Sequence, residues 1–500
     1  MTLDHDTEKI DSYNQLQSSG YSERITKESH LRYIFRLYFN VFVAVLSTFY
    51  YGFATGVLAP TFIKIYEDYH YSKQIQSLFV SVLLIGGMVG SFSSSFFMDK
   101  LGRRNTLIYN NILIFIGVLL SSFSYNLPFF YFSRFISGFS AGVGSAVVPV
   151  YIAEIAPPEK RGSLGVVRQI SVTSGVISSS LAAFGLNRIH NGWRYTFGIS
   201  AATGVIQLIL CFWFFESPRW LLSKNKTKEA ILVISKLNAE KSSEEIQSLI
   251  QKIQNDLSTQ KENESWQQLF KLKYWRVFLI GFSLCSFQQF VGINSLVYYS
   301  ADILMKSGFD HSMAVLLSAL IGIPQIIMLL ISLWAIDRFG RKPLLYIGLS
   351  GMIVGAVVLG YTFWNDGSDK SRTLSIVAVV SMILFKISFS LCLGSIPFII
   401  ASEIYPNKIR GKAMSIATLG TWLANILANV LYLPLVEALG HSGLYWFYSG
   451  SCLLCLLFVA IFVPETKGIP IEELYKMLIK ENESPTKIIT SSPQKNNDKV

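Results

Sequence analysis

Charge is scarce in this chain. Only 15% of its 500 residues are Asp, Glu, Lys or Arg, against about 25% in a soluble globular protein. A water-facing surface of the usual kind is therefore excluded for most of its length. Cysteine is scarce too: Cys211, Cys285, Cys392, Cys452 and Cys455 are the full set. All five fall inside apolar runs, where a thiol acts as a small buried hydrophobe, so no disulfide framework is implied. Cys452 and Cys455 share one helix face, but two thiols alone make no metal site, and none is expected. Residues 1–30 contain no apolar core, so no cleaved leader is expected there. The chain also lacks a Walker-type phosphate loop and any His/Asp/Glu cluster within its apolar runs. That argues against a primary pump, a membrane enzyme, a metal or a cofactor.

What the chain has in abundance is apolar and aromatic. Hydrophobic residues make up 51% and aromatics 14%, with a mean hydropathy of +0.41. The apolar residues form about twelve runs: 36–58, 75–97, 106–125, 128–151, 163–185, 194–215, 276–300, 313–336, 343–363, 374–401, 412–435 and 441–463. Each is long enough to cross a hydrocarbon core of roughly 30 Å, which takes about 20 helical residues. Aromatics such as Tyr50, Tyr51, Tyr131, Trp364, Tyr445 and Trp446 sit near run ends, as interfacial belts require.

The net charge of +11 would suit nucleic acid, but its placement says otherwise. Lys and Arg gather in alternate loops, near Lys100, Lys160, Arg219, Arg338 and Lys408. That alternation orients a polytopic membrane protein, and it puts both polar termini with those loops in the cytosol. No nucleic-acid partner is expected. The expected divisions are a disordered arm (1–35), six spans (36–215), a cytosolic segment (216–275), six more spans (276–463) and a cytosolic tail (464–500). Within 216–275, stretches 227–238 and 242–257 place Ile231, Ile234 and Leu237, then Ile246, Leu249, Ile250 and Ile253, at helical spacing. Two short amphipathic helices under the membrane domain are predicted.

The chain repeats itself. Asp99-Lys-Leu-Gly-Arg-Arg104 returns as Asp337-Arg-Phe-Gly-Arg-Lys342. Glu154-Ile-Ala-Pro157 leading to Arg161-Gly162 returns as Glu403-Ile-Tyr-Pro406 leading to Arg410-Gly411. Glu154 to Glu403 and Glu216 to Glu465 are the same 249 residues apart. Two six-helix halves related by duplication are implied, the arrangement secondary transporters use for alternating access. The glycines permit tight turns, and the arginines must stay at the interface. Glu154 with Arg103, Arg104 and Arg161, and Glu403 with Arg338, Arg341 and Arg410, are read as twin networks that latch the two bundles together when the outer side is open and break as the inner side opens. Plain topology signals would explain the cations but not the paired glutamates.

These residues resemble the sugar porter family of the major facilitator superfamily, and within it the facilitative hexose transporters. The matching stretches are Tyr51-Gly-Phe-Ala-Thr-Gly-Val57, Gly90-Ser-Phe, Gly102-Arg-Arg104, Arg134 with Gly138 and Gly142, and Pro149-Val-Tyr-Ile-Ala-Glu154. Further matches are Glu216-Ser-Pro-Arg-Trp-Leu221, Gln288-Gln289 with Gly292-Ile-Asn294, and Pro464-Glu-Thr-Lys-Gly468. The resemblance covers about residues 36–475. It implies an all-α membrane protein of twelve spanning helices in two pseudo-symmetric bundles, sufficient as a monomer, in the plasma membrane by default.

A sugar site needs groups that both donate and accept hydrogen bonds, plus an aromatic face. Gln169, Gln288, Gln289, Asn294, Gln325 and Asn425 lie within apolar runs, where unsatisfied amides are costly. They line a wet cavity or glue helices together. The resemblance assigns sugar contacts to Gln169, Gln288, Gln289 and Asn294, an outer gate to Tyr298 and Tyr299, and a cavity aromatic to Trp422. It also marks departures. Gln325 stands for an asparagine, Phe398 for a tryptophan, Thr421 for an asparagine and Ser390 for a glutamate. Ala54 stands where proton-coupled relatives carry an aspartate, so passive transport of a monosaccharide, such as the hexose glucose, is expected. A polyol, inositol or pentose carrier, a symporter using another group, and a non-transporting sensor are the alternatives. Lys386, near the middle of the tenth run, lines the cavity, pairs with helix dipoles or backbone carbonyls, sheds its proton on burial, marks an anionic or otherwise unusual substrate, or snorkels to the interface.

Overall fold

The computed structural model describes residues 24–70, 73–157, 161–237, 242–262, 274–364, 372–405 and 410–467. Residues 1–23 and 468–500, most of the expected terminal arm and tail, lie outside the described residues. The described secondary structure is helical, with no strand. Lipid cannot satisfy free backbone groups, so helices carry the chain across.

Twelve crossings are traced. α1 runs Arg24–Gly56 and continues as Leu58–Tyr69. α2 is Lys73–Leu101, α3 Arg103–Ser122, α4 Leu127–Ile155 and α5 Arg161–Leu186. α6 is built from Gly192–Ile199 and Ala201–Leu210. α7 comprises Trp275–Phe290, Ser295–Tyr298 and Ser300–Lys306. α8 joins His311–Leu320 to Gly322–Phe339, and α9 is Arg341–Thr362. α10 is Arg372–Leu391 followed by Ile396–Ile404. α11 and α12 form one stretch, Arg410–Phe462, divided at Gly440, whose φ of 68° is not helical. Large apolar side chains such as Phe92, Phe212 and Ile461 stand exposed on the outside, a surface that only lipid would cover.

Three expectations are corrected. α1 begins at Arg24, inside the stretch read as an arm, because Tyr33 and Leu37 bury against the helix Thr227–Leu237. α1 also extends to Tyr69, and α7 to Lys306, well past the apolar runs. The loop helices Thr227–Leu237 and Ser243–Glu262 do form, but Ile231 faces outward. Ala230, Val233, Ile234 and Leu237 make the buried face instead.

Small residues set how closely the helices approach. A Cβ on Gly138 would lie 2.0 Å from the Leu83 carbonyl oxygen, and one on Gly142 2.0 Å from that of Gly87. α2 and α4 therefore touch backbone to backbone, as small-residue faces allow in membranes. All five cysteines are buried and unpaired.

Candidate functional site

The break in α7 organises the site. Gly292 has φ +87°, and a Cβ there would fall 2.5 Å from the Tyr448 ring. Only glycine fits, and the helix opens between Phe290 and Ser295. α10 opens too, between Leu391 and Ile396, which frees carbonyls to accept bonds.

A chain of amides runs through these breaks. Gln288 Nε2 donates to the Leu393 carbonyl at 2.6 Å. Gln289 Nε2 donates to Gln288 Oε1 at 3.1 Å, and Asn294 Nδ2 donates to Gln289 Oε1. Asn294 Nδ2 also reaches Asn425 Oδ1 on α11 at 2.9 Å. Asn425 Nδ2 ends the chain at the Tyr298 hydroxyl, 3.4 Å away. Four of the six predicted amides thus share one network across α7, α10 and α11. Gln169 on α5 is half-buried and Gln325 on α8 is 8% exposed, and neither takes part in it.

The aromatics sit between the halves. Trp422 of α11 is buried edge-on to Tyr51 of α1, centroids 5.9 Å apart, and its ring lies over Gly87 of α2. Phe398 of α10 carries the Arg168 guanidinium of α5 at 5.9 Å from its centroid. Tyr299 stacks on Tyr432 with centroids 3.9 Å apart and planes within 8°, and Phe62 of α1 stacks on it from the other half. Asn429 of α11 donates to the Ser77 carbonyl and to Ser81 Oγ of α2, further joining the halves near this level.

The charged loops occupy the opposite face. Arg103 Nη2 pairs with Glu154 at 2.7 Å, and Arg341 Nη2 with Glu403 at 2.9 Å. Each pair joins adjacent helices of one half, α3 to α4 and α9 to α10. Among the described residues each pair closes one half on itself, within the twin groups that the sequence puts together. Arg104 turns away from Glu154, its Nε donating to the Cys211 carbonyl, and Arg338 is exposed over Trp334. The side chains of Arg161 and Arg410 lie outside the described residues.

The sequence reading missed what Glu216 and Glu465 do. Glu216 accepts from the backbone N–H groups of Arg103 and Arg104 at the start of α3. Glu465 does the same for Arg341 and Lys342 at the start of α9. Each carboxylate caps the positive end of a helix. The equal 249-residue offset was the available signal. Burial raises the Glu216 carboxyl above the ordinary value despite these bonds. At Glu465 burial also pushes upward, but four backbone N–H groups outweigh it and hold the carboxyl low. Thr466 Oγ1 donates to Glu403 Oε2 at 2.5 Å, whereas the matching Ser217 caps Trp220 N.

Arg134 is 1% exposed and gives Nη2 to the Ala54 carbonyl at 2.7 Å. No carboxylate side chain exists at Ala54 to receive it. Lys386 is 2% exposed, fourteen residues into α10. Snorkelling to the interface is thereby excluded.

A model of the family described as sugar (and other) transporters matches residues 40–478. The chain belongs to this sugar transporter family. Among its relatives are plastidic glucose transporter 4 of Arabidopsis thaliana and the arabinose-proton symporter of Bacillus subtilis. The first is 33% identical over 436 residues, 86% of this chain and 78% of that one. The second is 30% identical over 437 residues, 86% and 92% respectively. The solved structure of the proton:xylose symporter XylE bound to 6-bromo-6-deoxy-D-glucose aligns with TM-score 0.76 at 28% identity, covering 88% of this chain and 99% of that one. XylE of E. coli in its inward-open conformation aligns with TM-score 0.74. This transporter has the major facilitator fold of twelve membrane helices in two pseudo-symmetric bundles, and it is a multi-pass membrane sugar porter.

Proposed function

We propose that this transporter moves a monosaccharide by alternating access and uses no ion gradient. The observation that supports substrate recognition is the amide chain from Gln288 to Asn425. Asn294 spends Nδ2 on two acceptors and has Oδ1 left to accept a hydroxyl. Gln169 and Gln325 bring further amides from α5 and α8, and Phe398 and Trp422 offer ring faces for sugar C–H groups. Tyr298 and Tyr299 belong to the gate opposite the charged loops. We place those loops and both termini in the cytosol and the protein in the plasma membrane. Contact between the halves at Tyr299, Phe62 and Asn429 supports a state closed toward the outside.

The Arg134–Ala54 contact supports the uncoupled mechanism. A backbone carbonyl neither takes up nor releases a proton near neutral pH, so this arginine has no titrating partner there. The second reading, proton coupling through another group, is favoured by relatives that are proton symporters. Counterflow of labelled sugars in proteoliposomes tests recognition, and sugar-driven alkalinisation of the medium tests coupling. Exchange without alkalinisation is the expected result. Alkalinisation would establish symport.

A further inference from the structure

The membrane interior of this transporter is positively charged. Every Asp and Glu of its membrane helices lies within about one turn of a helix end, among the described residues. Apart from Arg32 and Arg36 in the first half of α1 and Lys64 in its continuation Leu58–Tyr69, three cations lie deeper. Arg134 and Arg168 each sit seven residues into α4 and α5, about 10 Å from the helix start. Lys386 sits fourteen residues into α10, about 21 Å along it. Arg134 is held by the Ala54 carbonyl. Arg168 lies over the Phe398 ring and has no ion pair among the described residues. Lys386 has neither hydrogen bond nor ion pair among the described residues.

Placement carries the argument further. Helical spacing puts Lys386 and Ser390 on one face of α10, and Ser390 Oγ is buried without a partner. That face is turned away from α9, which takes Phe385 and Ser388 against Gly355 and Gly351. α10 also packs along α8. Gln325 lies fourteen residues into α8, and both helices start from the same face of the membrane. Lys386 and Gln325 are therefore at about the same depth, Ser390 lies one turn further along α10, and Gln288 reaches α10 just beyond it, at the Leu393 carbonyl. A buried cation with no counter-charge is strongly unfavourable. An anion arriving with the substrate would remove that cost.

We propose that the carried monosaccharide is an acid sugar, whose carboxylate is received by Lys386 with Ser390. This rests on the carrier reading and names its substrate class. The neutral hydroxyls would then fall to Gln169, Gln325 and the amide chain. Guanidinium and ammonium groups both bind carboxylates through charge-assisted bonds, which strengthen in a low-dielectric site.

The test is exchange in proteoliposomes with labelled glucose, xylose, glucuronate, galacturonate and gluconate, at clamped potential and with chloride present or replaced by sulfate. Acid sugars should exchange at least tenfold faster than glucose, and an inside-positive potential should draw them in. Lys386→Met should lower the acid-to-neutral ratio at least tenfold, and Lys386→Arg should restore most of it. Because the readout is a ratio within one preparation, a poor folding yield does not mimic it. Exchange of neutral sugars without acid sugars would overturn the proposal and leave the carrier reading standing. An acid-to-neutral ratio that ignores Lys386→Met would also overturn it. Chloride-stimulated neutral exchange that disappears in Lys386→Met would overturn it in favour of a free anion. Exchange of no sugar at all would overturn both readings.

Discussion

Asn294 Nδ2 lies 2.9 Å from Asn425 Oδ1, joining α7 to α11 across 131 residues of sequence. The bond exists because Gly292 breaks α7 and lets Asn294 swing beside α11. Removing either side chain leaves the other amide short of a partner, a loss of about 1–3 kcal/mol. Asn294→Ala and Asn425→Ala should each weaken sugar affinity tenfold or more. The double variant should cost less than the sum, because the partners are coupled. Counterflow KM values for the four proteins check this.

The two loop ion pairs differ in burial and support. The Arg103–Glu154 side chains are 11% and 9% exposed, and those of Arg341–Glu403 are 14% and 27%. Glu403 has Thr466 as a second partner, and Glu154 Oε2 has none among the described residues. Arg103→Met strands a buried carboxylate and should cost about 3–5 kcal/mol. Arg341→Met should cost less. Melting of the purified variants in detergent should place Arg103→Met clearly lower.

Gly102 and Gly340 have φ of +88° and +90°. A Cβ would fall 2.3 Å from Glu216 Oε2 in the first and 2.8 Å from Glu465 Oε2 in the second. Alanine at either position should be destabilising by about 1–2 kcal/mol of backbone strain plus a displaced cap. The first should suffer more, since its overlap is closer. Yield and melting temperature of Gly102→Ala and Gly340→Ala report the order.

Glu216 and Glu465 titrate on opposite sides of the ordinary carboxylate value of 4.5. The depressed Glu465 contributes stability that is complete above 4.5 and is lost as pH falls through its folded value. The raised Glu216 is less stable ionised than in the unfolded chain, so acidification relieves it. Glu465→Gln should therefore melt lower than the parent at pH 7, by about 1 kcal/mol of lost capping, with the gap closing below pH 4.5. Glu216→Gln should narrow the same gap at neutral pH. Melting curves from about pH 2.5 to 8 separate the two.

Ala54 provides a gain-of-function test. Arg134 Nη2 is 2.7 Å from its carbonyl oxygen, so an aspartate side chain there comes within reach of the guanidinium. Ala54→Asp should make sugar exchange depend on pH, while the parent stays flat. Exchange rates from pH 5 to 8 decide it.

Much of the fold was legible because hydropathy and charge act locally. Twelve apolar runs, the duplicated Gly-Arg loops and the Arg-rich face follow from where each residue must sit relative to lipid and water. The helix breaks were less legible, since the sequence stays apolar across the opening of α10, from Ser388 into Ile396–Ile404. Glu216 and Glu465 were visible as a repeat but not as caps, because their partners are backbone groups that no side-chain pattern announces. Arg168 escaped notice beside Gln169, although a cation two turns inside an apolar run was the signal.

The sequence by itself determined which segments cross the membrane, that they come in two copies, and which rare polar groups lie at depth. It did so because burying a charge or a free backbone group in hydrocarbon costs several kcal/mol at every position separately. Only the tertiary structure decided that Arg103 rather than Arg104 takes Glu154, that Gln288 to Asn425 form one chain, and that Lys386 stands without a counter-charge among the described residues. Those outcomes depend on how each helix is rotated about its axis and where it breaks, and contacts between residues a hundred positions apart set both.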